Sequence, residues 1–215
     1  MKKKIVILGS TGSIGKTLID ILKKEKNNIT LSLLTSNTNY KELLKQVKIF
    51  DVKNIIISDP KIFLKVKILL KSKDINVYNN FESIHKIFKK DKIDYTMSAI
   101  SGFEGLKPTL DIIKFTKIIA IANKESIICG WSLINKSIKK NKVKFIPVDS
   151  EHFSIWSLMS KSSNTDIEKV FITASGGPFN NLPFKKFKLI KLREALNHPS
   201  WSMGKKISID SATMM

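Results

Sequence analysis

A chain of 215 residues, 42% of them hydrophobic, has the length and the apolar material to bury one large core or two small ones. No run approaches the roughly 18 apolar residues of a membrane span, and the apolar stretch after Met1-Lys2-Lys3-Lys4 breaks at Gly9, too early for a signal peptide. The net charge of +20 is almost all lysine spread along the chain, Arg193 being the only arginine, so it marks solvated faces and not a base-reading surface. No membrane and no nucleic-acid partner is expected. With Cys129 as its one cysteine, which excludes an internal disulfide, the chain is expected to be cytoplasmic.

Lys4 to Leu8 reads as a buried strand running into Gly9-Ser10-Thr11-Gly12-Ser13-Ile14-Gly15, after which Ile14, Leu18, Ile21 and Leu22 recur at helical spacing. Further strands are expected at Ile29 to Leu34, Asn54 to Ser58, Asn76 to Tyr78, Tyr95 to Ile100 and Lys117 to Ala122. Helices are expected at Tyr40 to Phe50 with Leu43, Leu44 and Val47 inward, from Pro60 to Leu69, around Ile84 to Phe88 and at Leu106 to Phe115. Short apolar strands alternating with helices predict an α/β fold with a doubly wound parallel sheet.

The glycine turn suits a phosphate, since its backbone permits close approach and the helix start behind it directs N–H groups at an anion. Its spacing is G-x-x-G-x-x-G, in the strand-to-helix context of a dinucleotide site. A rival reading takes Ser10 to Thr17, S-T-G-S-I-G-K-T, as a triphosphate loop with Ser in place of its first glycine; the dinucleotide reading is favoured. After the second strand stand Thr35-Ser36-Asn37-Thr38-Asn39, with no acid to hold a ribose 2'-hydroxyl or repel a 2'-phosphate, which points to NADP(H); the bland alternative is a simple polar turn. Asn123-Lys124-Glu125-Ser126 follows a strand end, where open sheets bind ligands, and reads equally as a helix start.

From Lys144 the texture changes, with a domain boundary expected near Pro147. Along an extended chain Asp149 and Glu151 point the same way, and two carboxylates on one side suit a hard divalent cation; the rival is an acidic helix start capped by Asp149 or Ser150. A helix over His152 to Met159 and strands at Val170 to Ala174 and Lys206 to Asp210 complete the expected elements. His152 and His198 each read as ordinary surface or capping histidines.

Taken together, G-S-T-G-S-I-G (Gly9 to Gly15), A-N-K-E-S (Ala122 to Ser126), P-V-D-S-E-H (Pro147 to His152), S-G-G-P-F (Ser175 to Phe179) and the run from His198 to Met215 resemble the 1-deoxy-D-xylulose 5-phosphate reductoisomerase family, motif for motif and in order. The resemblance implies a Rossmann-type NADPH-binding domain over residues 1–147 and the start of an α+β catalytic domain over 148–215. It implies rearrangement of a sugar phosphate and its reduction by NADPH, with Mg2+, Mn2+ or Co2+, in a homodimer. Thr11, Gly12, Ser13, Ile14, Asn39, Asn123, Glu125 and Gly204 would bind the cofactor, and Asp149 and Glu151 the metal. Lys124, Ser150, Ser175, His198 and Ser211 would bind substrate, with Lys124, Asp149, Glu151 and His198 catalytic and Trp201 and Met203 on a closing flap.

Two departures stand out. The family's usual Gly-Lys-Asn after the second strand is Asn37-Thr38-Asn39 here, and the family's sequence runs on past Met215 into Asn-Lys-Gly-Leu-Glu with a third metal carboxylate. The expectation is therefore a fragment that is inactive alone, the alternative being a non-catalytic nucleotide-binding remnant.

Overall fold

The computed structural model describes residues 2–89, 92–160, 167–172, 176–202 and 204–213. Two compact units divide the chain, Met1–Trp156 and Ser157–Met215. The first unit is built on seven parallel strands: β1 (Lys3–Leu8), β2 (Ile29–Ser36), β3 (Asn54–Ile57), β4 (Asn76–Tyr78), β5 (Ile93–Ser98), β6 (Thr116–Ile121) and β7 (Lys144–Pro147). Their order is β4-β3-β2-β1-β5-β6-β7, so the chain winds outward from β1 to one edge and then returns to β5 and winds to the other.

Parallel neighbours need crossover connections, and the helices supply them. Along β1 the side chains alternate: Ile5 and Ile7 join a core with Ile19 and Leu22 of α1 (Ser13–Lys23), Leu43 and Val47 of α2 (Tyr40–Phe50) and Val66 of α3 (Pro60–Leu69). Val6 and Leu8 join the other core with Ile84 of α4 (Ile84–Ile87), Leu106 and Ile112 of α5 (Leu106–Ile113) and Ile134 and Ile138 of α6 (Lys124–Asn141). A strand apolar on both faces thus explains the unbroken run Ile5 to Leu8. Pro147 ends β7, an edge strand, where the missing N–H leaves no gap in the ladder.

Val148 still donates to the backbone oxygen of Ile121 (3.1 Å), which carries the acidic turn and the start of α7 (Ser150–Met159) with the sheet. The structural division accordingly falls inside α7.

The second unit contains α8 (Leu192–Ala195), α9 (Lys205–Asp210) and 3-10 turns at Phe184–Leu189 and Ser211–Thr213. Two expected strands differ. Lys206 to Asp210 is helical, because the small residues form the buried side: Ser208, Ser211 and Ala212, at helical spacing, are buried, while Ile207 and Ile209 are exposed. Val170 to Ile172 is irregular, and Phe171 is 80% exposed; with no strand beside it among the described residues to complete a ladder, β propensity alone does not make a strand. Thr173 and Ala174 lie outside the described residues.

Candidate active site

The carboxyl ends of β1, β2, β6 and β7 bring four of the sequence motifs to one edge of the first unit. Gly9 leaves β1 with φ +80°, and a Cβ there would come within 2.7 Å of the Ala99 carbonyl oxygen, so the turn lies directly against the chain leaving β5. The turn is held from β2. Gly9 donates its N–H to Thr35 Oγ1 (2.8 Å), Ser10 donates its own to the Thr35 carbonyl (3.0 Å), and the hydroxyls of Thr11 and Ser36 share a hydrogen bond (2.9 Å). Gly12 caps α1 with no side-chain bond and no acid follows in the first turn, so the donors of the helix start face outward without a resident carboxylate. Gly12 and Ser13 are exposed; Thr11 and Ile14 are half-buried.

Gln46 completes the clamp, and sequence periodicity missed it. It lies on the buried stripe Leu43, Gln46, Val47, Phe50, is 1% exposed, and donates Nε2 to the Ser10 carbonyl (3.0 Å). Its Oε1 is buried with no hydrogen-bond partner. The available signal was a polar amide at a helix position whose neighbours at three and four residues are core.

At the end of β2, Asn37, Thr38 and Asn39 are exposed. The side-chain oxygen of Asn39 accepts from the Glu42 N–H (3.3 Å) and caps α2, leaving its NH2 group unused by that bond.

Asn123 is 3% exposed and wholly engaged. Its Nδ2 donates to the backbone oxygens of Ile100 and Gly102, and its Oδ1 accepts from the Ser126 N–H (2.7 Å), capping α6. A cofactor contact from Asn123 is thereby left to its backbone. Lys124 and Glu125 follow as the first, half-buried residues of α6.

The acidic pair is also at a helix start. The extended geometry expected through Glu151 stops after β7, and Asp149 instead caps α7, accepting from the His152 N–H (3.3 Å) and pairing with His152 Nδ1 (2.7 Å). Ser150 donates its hydroxyl to Glu151 Oε2 (2.8 Å). Burial raises the Asp149 pKa, but the hydrogen bonds from the His152 side chain and N–H, together with Glu151, outweigh it and leave the carboxyl below the ordinary aspartate range. Asp149 at the cap and Glu151 in the first turn put two carboxylates at the start of one helix, a donor set whose oxygens suit a hard cation. Among the described residues no group of three or more His, Cys, Asp or Glu could hold a metal.

In the second unit, the residues after Ser175 dock on the end of α9. Gly177 lies so close to the Ser211 carbonyl that any Cβ would overlap it, and Phe179 donates its N–H to Ala212 O (3.0 Å). The structure thus joins two of the predicted substrate motifs, although Ser175 itself, like Met203, lies outside the described residues. The Ser211 hydroxyl donates to the Ile207 carbonyl (2.9 Å). His198 is buried, and its Nδ1 accepts from the N–H groups of Ser200 and Trp201 (both 3.1 Å), so the neutral ring carries its proton on Nε2. Gly204 caps α9, and Trp201 is exposed.

A parallel sheet whose winding reverses at β1, with a glycine turn into a helix without a side-chain cap beside that point, defines the first unit as a doubly wound, Rossmann-type domain. The family model for 1-deoxy-D-xylulose 5-phosphate reductoisomerase matches residues 5–130, and that for the C-terminal domain of the same enzyme matches residues 145–215. The chain belongs to the 1-deoxy-D-xylulose 5-phosphate reductoisomerase family. It is 63% identical to the reductoisomerase of Pelagibacter ubique over 99% of its own length and 55% of that relative. Among solved structures it is similar to the Zymomonas mobilis reductoisomerase in complex with NADPH (31% identity, TM-score 0.83, covering 99% of this chain and 54% of that one). It is also similar to a reductoisomerase in complex with NADPH, fosmidomycin and magnesium (33% identity, TM-score 0.86, covering 98% and 54%). The chain spans about half the length of the relatives it matches. With this membership the triphosphate-loop reading of Ser10 to Thr17 falls.

Proposed function

We propose that the protein, at the length its relatives have, carries out the NADPH- and divalent-metal-dependent rearrangement and reduction of 1-deoxy-D-xylulose 5-phosphate to 2-C-methyl-D-erythritol 4-phosphate in isoprenoid synthesis. The observation that carries the reading is the likeness of the whole chain to reductoisomerases, one of them solved with NADPH, fosmidomycin and magnesium. NADPH, when bound, supplies the hydride, and the divalent cation, Mg2+, Mn2+ or Co2+, supplies positive charge beside the substrate oxygens.

The residues of the chain divide the rest of the work. In this reading residues 1–147 form the NADPH domain, where the N–H groups of Gly12, Ser13 and Ile14 hold the pyrophosphate and Thr11, Asn39, Glu125, the Asn123 backbone and Gly204 line the remainder. Residues 148–215 carry the metal and the substrate. Asp149 and Glu151 hold the cation, and Ser150, Ser175 and Ser211 orient the sugar phosphate. Lys124 meets a substrate oxygen, and His198 binds the substrate. Trp201 and Met203 close over the site and exclude water, which strengthens every charge interaction inside. The exposed apolar stretch at Val170, Phe171 and Ile172 supports a surface covered in the homodimer or by further chain, and the free thiol of Cys129 supports a cytoplasmic location. Among the described residues no helix is long and apolar enough to cross a membrane.

A second reading is a nucleotide-binding remnant without catalysis. One assay separates the two: NADPH oxidation with the deoxyxylulose phosphate and Mn2+, run on this chain and on one extended past Met215. Turnover is expected in the extended chain only. An extended chain that binds metal and stays inert would overturn the first reading, and robust turnover by the 215-residue chain would overturn the second.

A further inference from the structure

The turn after β2 carries Asn37, Thr38 and Asn39, all exposed, and no cation or carboxylate of its own. A 2'-phosphate docked there needs a positive partner, because a dianion held only by amides and hydroxyls gives up the charge-assisted bonds that distinguish it from a hydroxyl. The next residue is Tyr40, the first of α2, whose side chain packs against the core on that face of the sheet. Across from it, α3 begins at the carboxyl end of β3, the strand paired with β2. Lys65 of α3 brings its Nζ to 5.0 Å from the centre of the Tyr40 ring. A hydrogen bond with Lys65 is the main reason the Tyr40 hydroxyl titrates below its ordinary value; burial pushes the other way, and the charges of Lys65 and Lys41 lower it further. The nearby acid, Asp59, is turned into its own helix, where Oδ1 accepts from the Ile62 N–H (2.8 Å).

We infer that Lys65, steadied by Tyr40, is the cation that recognises the 2'-phosphate of NADPH and thereby selects NADPH over NADH, an inference that rests on the nucleotide reading above. Lys65 comes from the neighbouring helix and not from the turn itself, so the sequence around Asn37 to Asn39 gives no sign of it. Tyr40 acts as a positioning residue: its ring packs against the core, and it holds an otherwise mobile ammonium at the residue that directly follows Asn39.

The test is titration of the 215-residue chain with NADPH and, separately, NADH, followed by nicotinamide fluorescence, with 2',5'-ADP as competitor. Lys65→Met is expected to weaken NADPH binding about tenfold and leave NADH binding unchanged. Lys65→Arg restores the NADPH affinity, and Tyr40→Phe gives a smaller loss confined to NADPH. Equal loss for both nucleotides, or no loss for either, overturns the inference while the nucleotide reading stands. A wild-type chain that binds neither nucleotide overturns both. Since Lys65 is exposed, an unchanged thermal midpoint for Lys65→Met is the expected control, and Lys65→Glu provides a second NADPH-selective variant.

Discussion

Gly105 and Asn123 claim one space: a Cβ on Gly105 would overlap Nδ2 of Asn123, which from that position donates to the backbone oxygens of Ile100 and Gly102. One buried amide thus ties the chain leaving β5 to the start of α6. Gly105→Ala should destabilise the first unit by about 1–3 kcal/mol, since the overlap also involves the fixed Ile100 backbone. Asn123→Asp should cost at least as much, because a carboxylate cannot donate to the two carbonyls and would face them unpaired. Urea midpoints of the two variants check both statements.

Gly9 is irreplaceable for a different reason, its φ of +80° combined with the approach of Ala99. Gly9→Val should abolish NADPH binding measured by fluorescence titration. Metal affinity at Asp149 and Glu151, measured by calorimetry on the same protein, should move much less, since β7 and α7 carry that pair independently of the turn.

Gln46→Leu keeps the volume and the buried stripe but removes the donor to Ser10. Loss of one neutral hydrogen bond is expected to weaken NADPH binding by about 1 kcal/mol, roughly fivefold, with removal of an unpaired buried oxygen offsetting part of any loss in fold stability. A nucleotide affinity that is unchanged would show that Ser10 is held by Thr35 alone.

Asp149→Asn and Glu151→Gln, made in a chain extended past Met215, should each remove metal-dependent turnover by two or more orders of magnitude and leave NADPH binding intact. Calorimetric titration with Mn2+ separates a lost ligand from a misfolded helix start, because Asp149→Asn retains an oxygen able to cap α7.

Asp94 bridges three strands at the amino end of the sheet: Oδ2 accepts from the Lys4 N–H and Oδ1 from the Lys117 ammonium, both at 2.8 Å. The Lys117 hydrogen bond, then that from Lys4, holds its pKa below the ordinary aspartate value, against a lesser upward push from burial. A depressed carboxylate stabilises the fold above its unfolded pKa, about 3.9, and loses that contribution as pH falls through the folded value. The difference in unfolding free energy between wild type and Asp94→Asn, about 1 kcal/mol or less for so exposed a pair, should therefore be present at pH 7 and vanish in strong acid.

Strand-by-strand, the first unit was legible because its signals are local. Ile5 to Leu8, Ile55 to Ile57 and Ile118 to Ile121 are apolar on both faces, and Leu43, Val47 and Phe50 mark the core side of α2. The second unit was read less well. Ile207 and Ile209 suggest a strand to any period-2 reading, yet the buried face is made by Ser208, Ser211 and Ala212, whose small size lets Gly177 and Phe179 pack on the backbone; the two serine hydroxyls donate to carbonyls four residues back.

The glycine turn, the absence of an acid after β2 and the pair Asp149 and Glu151 are properties of the sequence by itself, because each depends on residue type at short spacing. The two carboxylates were expected on one side of an extended chain, whereas the structure puts Asp149 at the cap and Glu151 in the first turn of a helix. Only the tertiary structure decided that Gln46 and Thr35 clamp Ser10, that Asn123 is a brace spent on backbone carbonyls, and that Lys65 of α3 stands over the Tyr40 ring. These are contacts between residues tens of positions apart, made adjacent by the parallel register of β1, β2 and β3 and of β5 and β6, and no local periodicity encodes them.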